Sequence, residues 1–114
     1  MWQGDRVSQG DGVTVLAVFE VVIRPDATDT QLAQYAQYRA QVAGLIARAG
    51  GRYLARAAVG TLLEGATDTA DRRWHVVEFP DADAARAFWS SAEYAALRPL
   101  REGAADVRAV LLDA

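Results

Sequence analysis

RRWHVVEFPDADAARAF, residues 72 to 88, reads as a β-strand that runs directly into an α-helix. Pro80 and Asp81 end the strand and open the helix. The same strand carries His75, the only histidine of the chain, and Glu78 within an otherwise apolar run. Packing favours hydrocarbon at such positions, so these two ionisable groups are the first candidates for function.

The residues before this stretch predict a first strand and a long helix. GVTVLAVFEVVI, residues 12 to 23, is rich in valine and is stopped by Pro25. Residues 26 to 51 repeat apolar side chains with the i, i+3, i+4 spacing of a helix of about six turns. Thr28 or Asp29 is its expected N-cap.

The remaining segments complete the order of elements. RYLARAAVGTLLEG, residues 52 to 65, predicts a second strand bent or bulged at Gly60 and joined as a hairpin to a third strand at residues 72 to 79. A short broken helix at residues 90 to 100 precedes a fourth strand at residues 105 to 113. The order βαββαβ predicts an α+β, ferredoxin-like fold, a four-stranded antiparallel sheet with two main helices on one face.

The first strand also predicts a partner. It is too uniformly apolar to have one face in water, and the helices cover only one face of the sheet. The chain has 114 residues, of which 52% are hydrophobic. A second copy is therefore the expected cover, in a homodimer that resembles a barrel, a dimeric α/β barrel. We expect residues 1–11 to form a flexible N-terminal arm and residues 12–114 to form a single domain.

Composition excludes several kinds of chemistry. The chain has no cysteine, no lysine, no asparagine and one histidine, which excludes thiolate chemistry, Schiff-base chemistry and metal sites built on two imidazoles. We therefore expect no metal and no cofactor. A net charge of −3 without a basic face predicts no nucleic-acid partner, and no apolar run approaches a membrane span. Without a recognisable signal peptide, the expected protein is soluble and cytoplasmic.

Four blocks of sequence carry a resemblance to a known family. GGRYLARA, LLEG, VVEFPDADAARAFWSSAEY and ADVRAVLLD follow one another as in the domain of unknown function 1330 family (DUF1330), over roughly residues 13 to 113. The resemblance implies the dimeric α/β barrel fold and no established biochemical role. Wider relatives of that fold include cofactor-free monooxygenases, isomerases and haem-degrading enzymes, so the fold does not decide the function.

Strand alternation groups the ionisable residues. Glu20 and Glu78 should lie on adjacent central strands, and Arg52 and Arg56 should share one face of the second strand. If that face lies between the subunits, these groups could pair there and line a cavity. The predicted ligand-binding residues are Arg52, Arg56, Glu20, Glu78, Tyr38, Trp74 and Tyr94.

Each candidate also has a structural interpretation. The charged pairs could serve the dimer alone, and the aromatic side chains could simply pack. Glu78 and His75 are the candidate catalytic residues, although a hydrogen-bonded strand residue is the alternative for His75. Arg98 and Arg101 could attract a carboxylate but are expected to be solvated.

Three functions follow from these interpretations. The preferred one is a homodimer that binds a small organic molecule in a pocket lined by the central strands. The alternatives are a small cofactor-independent enzyme of isomerase or monooxygenase type that abstracts a proton, and a purely structural dimer without a ligand. Whether the chain is an enzyme stays open at this point.

Overall fold

The computed structural model describes residues 14–112, and within them it confirms the predicted order of elements. The predicted arm at residues 1–11 lies outside the described residues. The strands are β1 (Val15–Ile23), β2 (Arg52–Ala58), β3 (Asp71–Phe79) and β4 (Ala105–Leu112). The helices are α1 (Asp29–Arg48), α2 (Ala82–Trp89), α3 (Ala92–Leu97) and α4 (Pro99–Glu102). The strands form one antiparallel sheet in the order β2-β3-β1-β4.

The central strands β1 and β3 present two different faces. Phe19 is opposite His75 and Glu20 is opposite Trp74, so successive pairs point to opposite sides of the sheet. One side packs against the helices, and we call it the helix-side face; it carries Val15, Ala17, Phe19 and Val21 of β1 and His75, Val77 and Phe79 of β3. The other side is the open face; it carries Leu16, Val18, Glu20 and Val22 of β1 and Trp74, Val76 and Glu78 of β3.

Helix α1 starts at the expected place. Thr28 is its N-cap: the Thr28 hydroxyl accepts from the Gln31 amide at 3.1 Å, and the Gln31 side chain accepts from the Thr28 amide at 2.9 Å. This reciprocal capping box satisfies two backbone donors that the first turn would otherwise leave unpaired. Tyr35, Val42 and Ile46 are the residues that α1 buries against the rest of the protein.

The predicted bend of β2 at Gly60 is wrong. Strand β2 ends at Ala58, and Gly60 lies in the connection to β3. The irregularities occur earlier, between Tyr53 and Ala55 and again between Ala55 and Ala58. Ala57 has a φ of +51°, an uncommon conformation for a residue with a side chain.

This irregularity changes the face to which Arg56 points. Tyr53 pairs with Val77 and Ala55 pairs with Val76, so two steps along β2 correspond to one step along β3. The alternation of side chains is therefore reversed beyond the bulge. Arg52 stays on the open face, whereas the Arg56 guanidinium donates to the backbone carbonyl of Arg39 in α1 at 2.9 Å. The prediction that Arg52 and Arg56 share a face is wrong for this reason.

Two glycines test this packing with the same substitution. A Cβ at Gly51 would lie 2.8 Å from Ile46 Cγ2 and 2.9 Å from Phe79 Cε1, whereas a Cβ at Gly44 would meet nothing closer than 3.8 Å. We expect Gly51→Ala to lower the free energy of unfolding by about 1–3 kcal/mol through overpacking. Gly44→Ala, in the interior of α1, should raise it by about 1 kcal/mol. Urea unfolding at one fixed protein concentration measures both, and a Gly51→Ala protein as stable as Gly44→Ala would contradict the packing described.

Candidate functional site

The open face holds one group of the predicted residues. Glu78 accepts from Arg52 at 2.9 Å, and Glu20 forms an ion pair with Arg72 at 2.8 Å. Trp74 lies opposite Glu20 on the neighbouring strand. Glu20 and Glu78 are separated by four residues of strand register, about 13 Å, so each carboxylate has its own arginine and the two do not meet.

The helix-side face holds a cavity that contains the other group. Its volume is about 40 Å³, and it lies between the sheet and helices α1, α2, α3 and α4. Side chains from both layers line it: Phe19, Val21, Tyr35, Tyr38, Arg39, Val42, Ile46, Tyr53, Arg56, His75, Phe88, Tyr94, Arg101 and Val107. Of the predicted site residues, Tyr38, Arg56, His75 and Tyr94 therefore come together here. We call this space the helix-side cavity.

A pair of tyrosine hydroxyls lies in the cavity wall. Tyr38 of α1 and Tyr94 of α3 are hydrogen-bonded through their hydroxyl oxygens at 2.9 Å. Ser91 fixes the start of α3 by accepting from the Tyr94 amide, which places the Tyr94 ring against Phe88 at a centroid distance of 4.9 Å. Burial raises the pKa of Tyr38, and the neighbouring Tyr94 raises it further. The hydroxyl of Tyr38 therefore stays protonated.

Arg101 is buried against this pair. Its side chain belongs to α4 and the residue is only 8% exposed, and its Nε donates to the Tyr94 hydroxyl at 3.3 Å. The guanidinium carbon lies 5.9 Å from the centroid of the Tyr38 ring. Arg98 is half-buried and lies 5.5 Å from the rings of both Trp89 and Tyr94. The expectation that Arg98 and Arg101 are solvated is wrong. Arg98 keeps helical backbone angles across the interruption before Pro99, so Arg98 and Arg101 follow Tyr94 by four and seven residues on one side of the helix.

His75 is held in one protonation state. Its Nδ1 accepts from the backbone amide of Ala57 at 3.1 Å, which leaves the proton of the neutral ring on Nε2. Burial lowers the pKa of His75, and the positive charges of Arg56 and Arg39 lower it further. The imidazole is therefore a neutral hydrogen-bond donor towards the cavity, since the lone pair that a general base would need is already used.

Two other arginines, both exposed to solvent, border the cavity. Arg56 lies 4.9 Å from the Tyr53 ring and bonds to the Arg39 carbonyl, while the Arg39 guanidinium lies 5.8 Å from the Tyr35 ring. Arg39 has no distinctive sequence signal, because the surface of a long helix has many polar positions. Arg101 is distinguished from a solvated arginine by its contact with Tyr94.

No group of three or more histidine or acidic side chains among residues 14–112 is placed to hold a metal ion. None of the helices in this range is long and apolar enough to cross a membrane.

Sequence comparison identifies the family. The domain of unknown function DUF1330 matches residues 22–114. This chain belongs to the DUF1330 family. The resemblance noted in the sequence is thereby confirmed, and no curated protein matches the chain.

Solved structures show the same fold in other proteins. A protein of unknown function from Rhodopseudomonas palustris is 21% identical to this DUF1330 protein, with a TM-score of 0.69 over 93% of this chain and 86% of that one. SnoaB, a cofactor-independent oxygenase from Streptomyces nogalater, is 17% identical, with a TM-score of 0.59 over 89% and 92%. A dimeric protein of unknown function and ferredoxin-like fold from Bacteroides fragilis is 13% identical, with a TM-score of 0.60 over 89% and 96%. At these identities the likeness concerns the fold alone.

The environment of His75 predicts how stability depends on pH. Its pKa is lower in the folded protein than in the unfolded chain, so below the unfolded value of about 6.5 the unfolded state binds the extra proton. Stability should therefore fall as the pH decreases from 7.5 to 5.5. In His75→Gln this part of the slope should be missing, whereas the contributions of the carboxylates remain. Urea unfolding at several pH values checks this, and equal slopes for the two proteins would contradict a neutral His75.

Proposed function

We propose that this DUF1330 protein binds a small organic molecule in the helix-side cavity. The observation that carries the proposal is the convergence of polar donors inside aromatic walls: the Nε2 proton of His75, the Tyr38 and Tyr94 hydroxyls and the Arg101 guanidinium all border one space. A mostly apolar hollow with a few well-placed polar groups is the usual form of a ligand site.

The donors are held by regular elements rather than by loops. His75 is on β3, Tyr38 is on α1 and Tyr94 is on α3, and hydrogen bonds fix all three side chains before any ligand arrives. A site whose donors are already oriented loses less conformational entropy on binding. This preorganisation favours ligand binding over a merely structural use of the same groups.

We further propose that the protein is a homodimer formed through the open face. Leu16, Val18 and Val22 of the central strand β1 are only half-covered there, and Leu54, Val110 and Leu112 are 48%, 44% and 48% exposed. Such a continuous apolar sheet face is rarely left in water. A second copy fits it because Glu20 and Glu78 are already paired within one copy, and the neighbour from Bacteroides fragilis is described as dimeric.

Proton-abstracting catalysis has less support. Glu78 lies on the open face in contact with Arg52, on the opposite side of the sheet from the helix-side cavity. His75 faces the cavity but its Nδ1 lone pair is used by Ala57. The cytoplasmic location, like the absence of nucleic-acid and membrane partners, stays a prediction from the sequence.

A thermal-shift screen distinguishes the two groups of predicted residues. The library should contain small organic acids, phenols, ketones and amides. Because a bound ligand stabilises the folded state, a binder raises the Tm. We expect this rise to be lost or strongly reduced in Arg56→Ala, which changes the border of the helix-side cavity, and to persist in Arg52→Ala.

These two variants are matched, since both truncate an exposed arginine of β2 four residues apart. A Tm rise that is lost in Arg52→Ala and kept in Arg56→Ala would move the ligand to the open face. A well-folded protein that no compound stabilises would contradict ligand binding and favour a structural dimer.

The dimer interface has a separate test. Val18→Glu places an unpaired carboxylate in the centre of the open face, and burying it against a second copy would be strongly unfavourable. We expect Val18→Glu to be a monomer at micromolar concentration by light scattering. Leu63→Glu, at a position 95% exposed in the β2–β3 connection, is the control and should keep the wild-type mass. A dimeric Val18→Glu protein would exclude this interface.

A further inference from the structure

The charged side chains of residues 14–112 that line the helix-side cavity are all positive. Arg39, Arg56 and Arg101 reach it from α1, β2 and α4, and no aspartate or glutamate within residues 14–112 lines it. The chain as a whole has 15 acidic and 12 basic residues. The excess of positive charge is therefore specific to the cavity, since the chain as a whole is slightly acidic.

Arg101 is the most deeply placed of the three. It is 8% exposed, and none of the ion pairs formed within residues 14–112 includes it. A guanidinium keeps its charge at any pH at which the protein is folded, and a buried charge without a counter-ion is strongly unfavourable. The Tyr94 hydroxyl offers it one neutral acceptor. This burial points to an anion that comes from outside the fold.

The neutral groups around Arg101 are also hydrogen-bond donors. Tyr38 and Tyr94 share one hydrogen bond, so one of their two hydroxyl protons is left for a ligand whichever oxygen donates. His75 offers Nε2–H, because Nδ1 accepts from Ala57. These groups match a ligand that accepts several hydrogen bonds, and they match a cation poorly.

The size of the cavity limits the size of the anionic group that it can hold. The volume of about 40 Å³ holds only a few non-hydrogen atoms, and the rings of Phe19, Phe88 and Tyr94 form part of its wall. A carboxylate group, with three non-hydrogen atoms, takes up less of this volume than a phosphate group, with five. In a larger ligand, the part that does not fit would extend out of the cavity beside the exposed side chains of Arg39 and Arg56.

We propose that the ligand is a small organic carboxylate whose carboxylate group binds Arg101, with hydrogen bonds from the Tyr38–Tyr94 pair and from His75. Arginine pairs with a carboxylate through two parallel N–H bonds, which supplies both affinity and orientation. The assignment rests on the function proposed above and names its ligand class.

Calorimetric titration of the full chain tests the assignment. Acetate, benzoate and phenylacetate are compared at pH 7.5 with their neutral amides, and inorganic phosphate is titrated separately. At least one carboxylate should bind at least about tenfold more tightly than its amide. Arg101→Met should weaken carboxylate binding by about 10- to 100-fold, the range expected for a lost charge-assisted contact, and leave amide binding unchanged.

Arg48→Met is the matched control, because Arg48 is an exposed arginine at the end of α1 away from the cavity. It should bind as the wild type does. If Arg101→Met does not fold, Arg101→Lys provides the same comparison, since it keeps the charge and loses the planar fork; carboxylate binding should be weakened but still exceed amide binding. Unfolding without ligand separates a structural role, because removal of an uncompensated charge should not lower the free energy of unfolding.

The failures of the two proposals differ. Equal affinity for carboxylate and amide, tighter binding of phosphate, or undiminished carboxylate binding by Arg101→Met would overturn the carboxylate assignment. If a neutral ligand then still depends on Arg56, the cavity remains a binding site for another chemical class. If no compound of the broader library stabilises the protein, the proposed function itself fails.

Discussion

The hydrogen bond from the Ala57 amide to His75 Nδ1 connects the backbone of β2 with the chemistry of the helix-side cavity. It lies where β2 departs from regular pairing, and Ala57 has a positive φ there. A non-glycine residue holds this conformation only when its surroundings stabilise it. The imidazole provides part of that stabilisation and is itself fixed as the Nε2–H tautomer. The neighbouring irregularity of β2, between Tyr53 and Ala55, turns Arg56 towards α1, so two adjacent departures from regular pairing set a donor and a charge at the cavity.

The wall of the cavity opposite the sheet is built by contacts between helices. Tyr38 belongs to α1, Tyr94 to α3 and Arg101 to α4. Their hydrogen bonds connect the consecutive helices α3 and α4 with each other and with α1, which lies much earlier in the sequence. The polar groups lie within a cluster of packed rings whose burial is itself stabilising. The hydrogen bonds therefore determine the arrangement of the wall more than they determine its stability.

The fold was predictable because its signals are local. Periodicity, turn residues and the Thr28 cap each act over a few residues, and together they give the order of strands and helices. The pairing of Arg52 with Glu78 also follows from strand alternation, since no irregularity separates that pair from the central strands.

The site was less predictable because it depends on two long-range features. The bulge of β2 between Tyr53 and Ala55 turns Arg56 to the other face, and neither this bulge nor the positive φ of Ala57 that follows it has a signal in these residue types. The burial of Arg101 depends on how α3 and α4 pack against α1, which brings the Tyr38 ring beside the Tyr94 hydroxyl and over the guanidinium. Neither feature is visible in the residue types at those positions.

The ion pairs of the open face bear on which chains could assemble with one another. Arg52 with Glu78, and Arg72 with Glu20, are satisfied within a single copy. These two pairs would therefore supply no matching of opposite charges between the subunits, unlike interfaces that select partners by charge. Arg108 of β4, opposite Glu20, is a charge of this face that none of the ion pairs within residues 14–112 includes. Recognition would depend on how the side chains of Leu16, Val18 and Trp74 fit each other. Mixed assembly with another member of the family would then be limited by shape and by how the second copy meets Arg108.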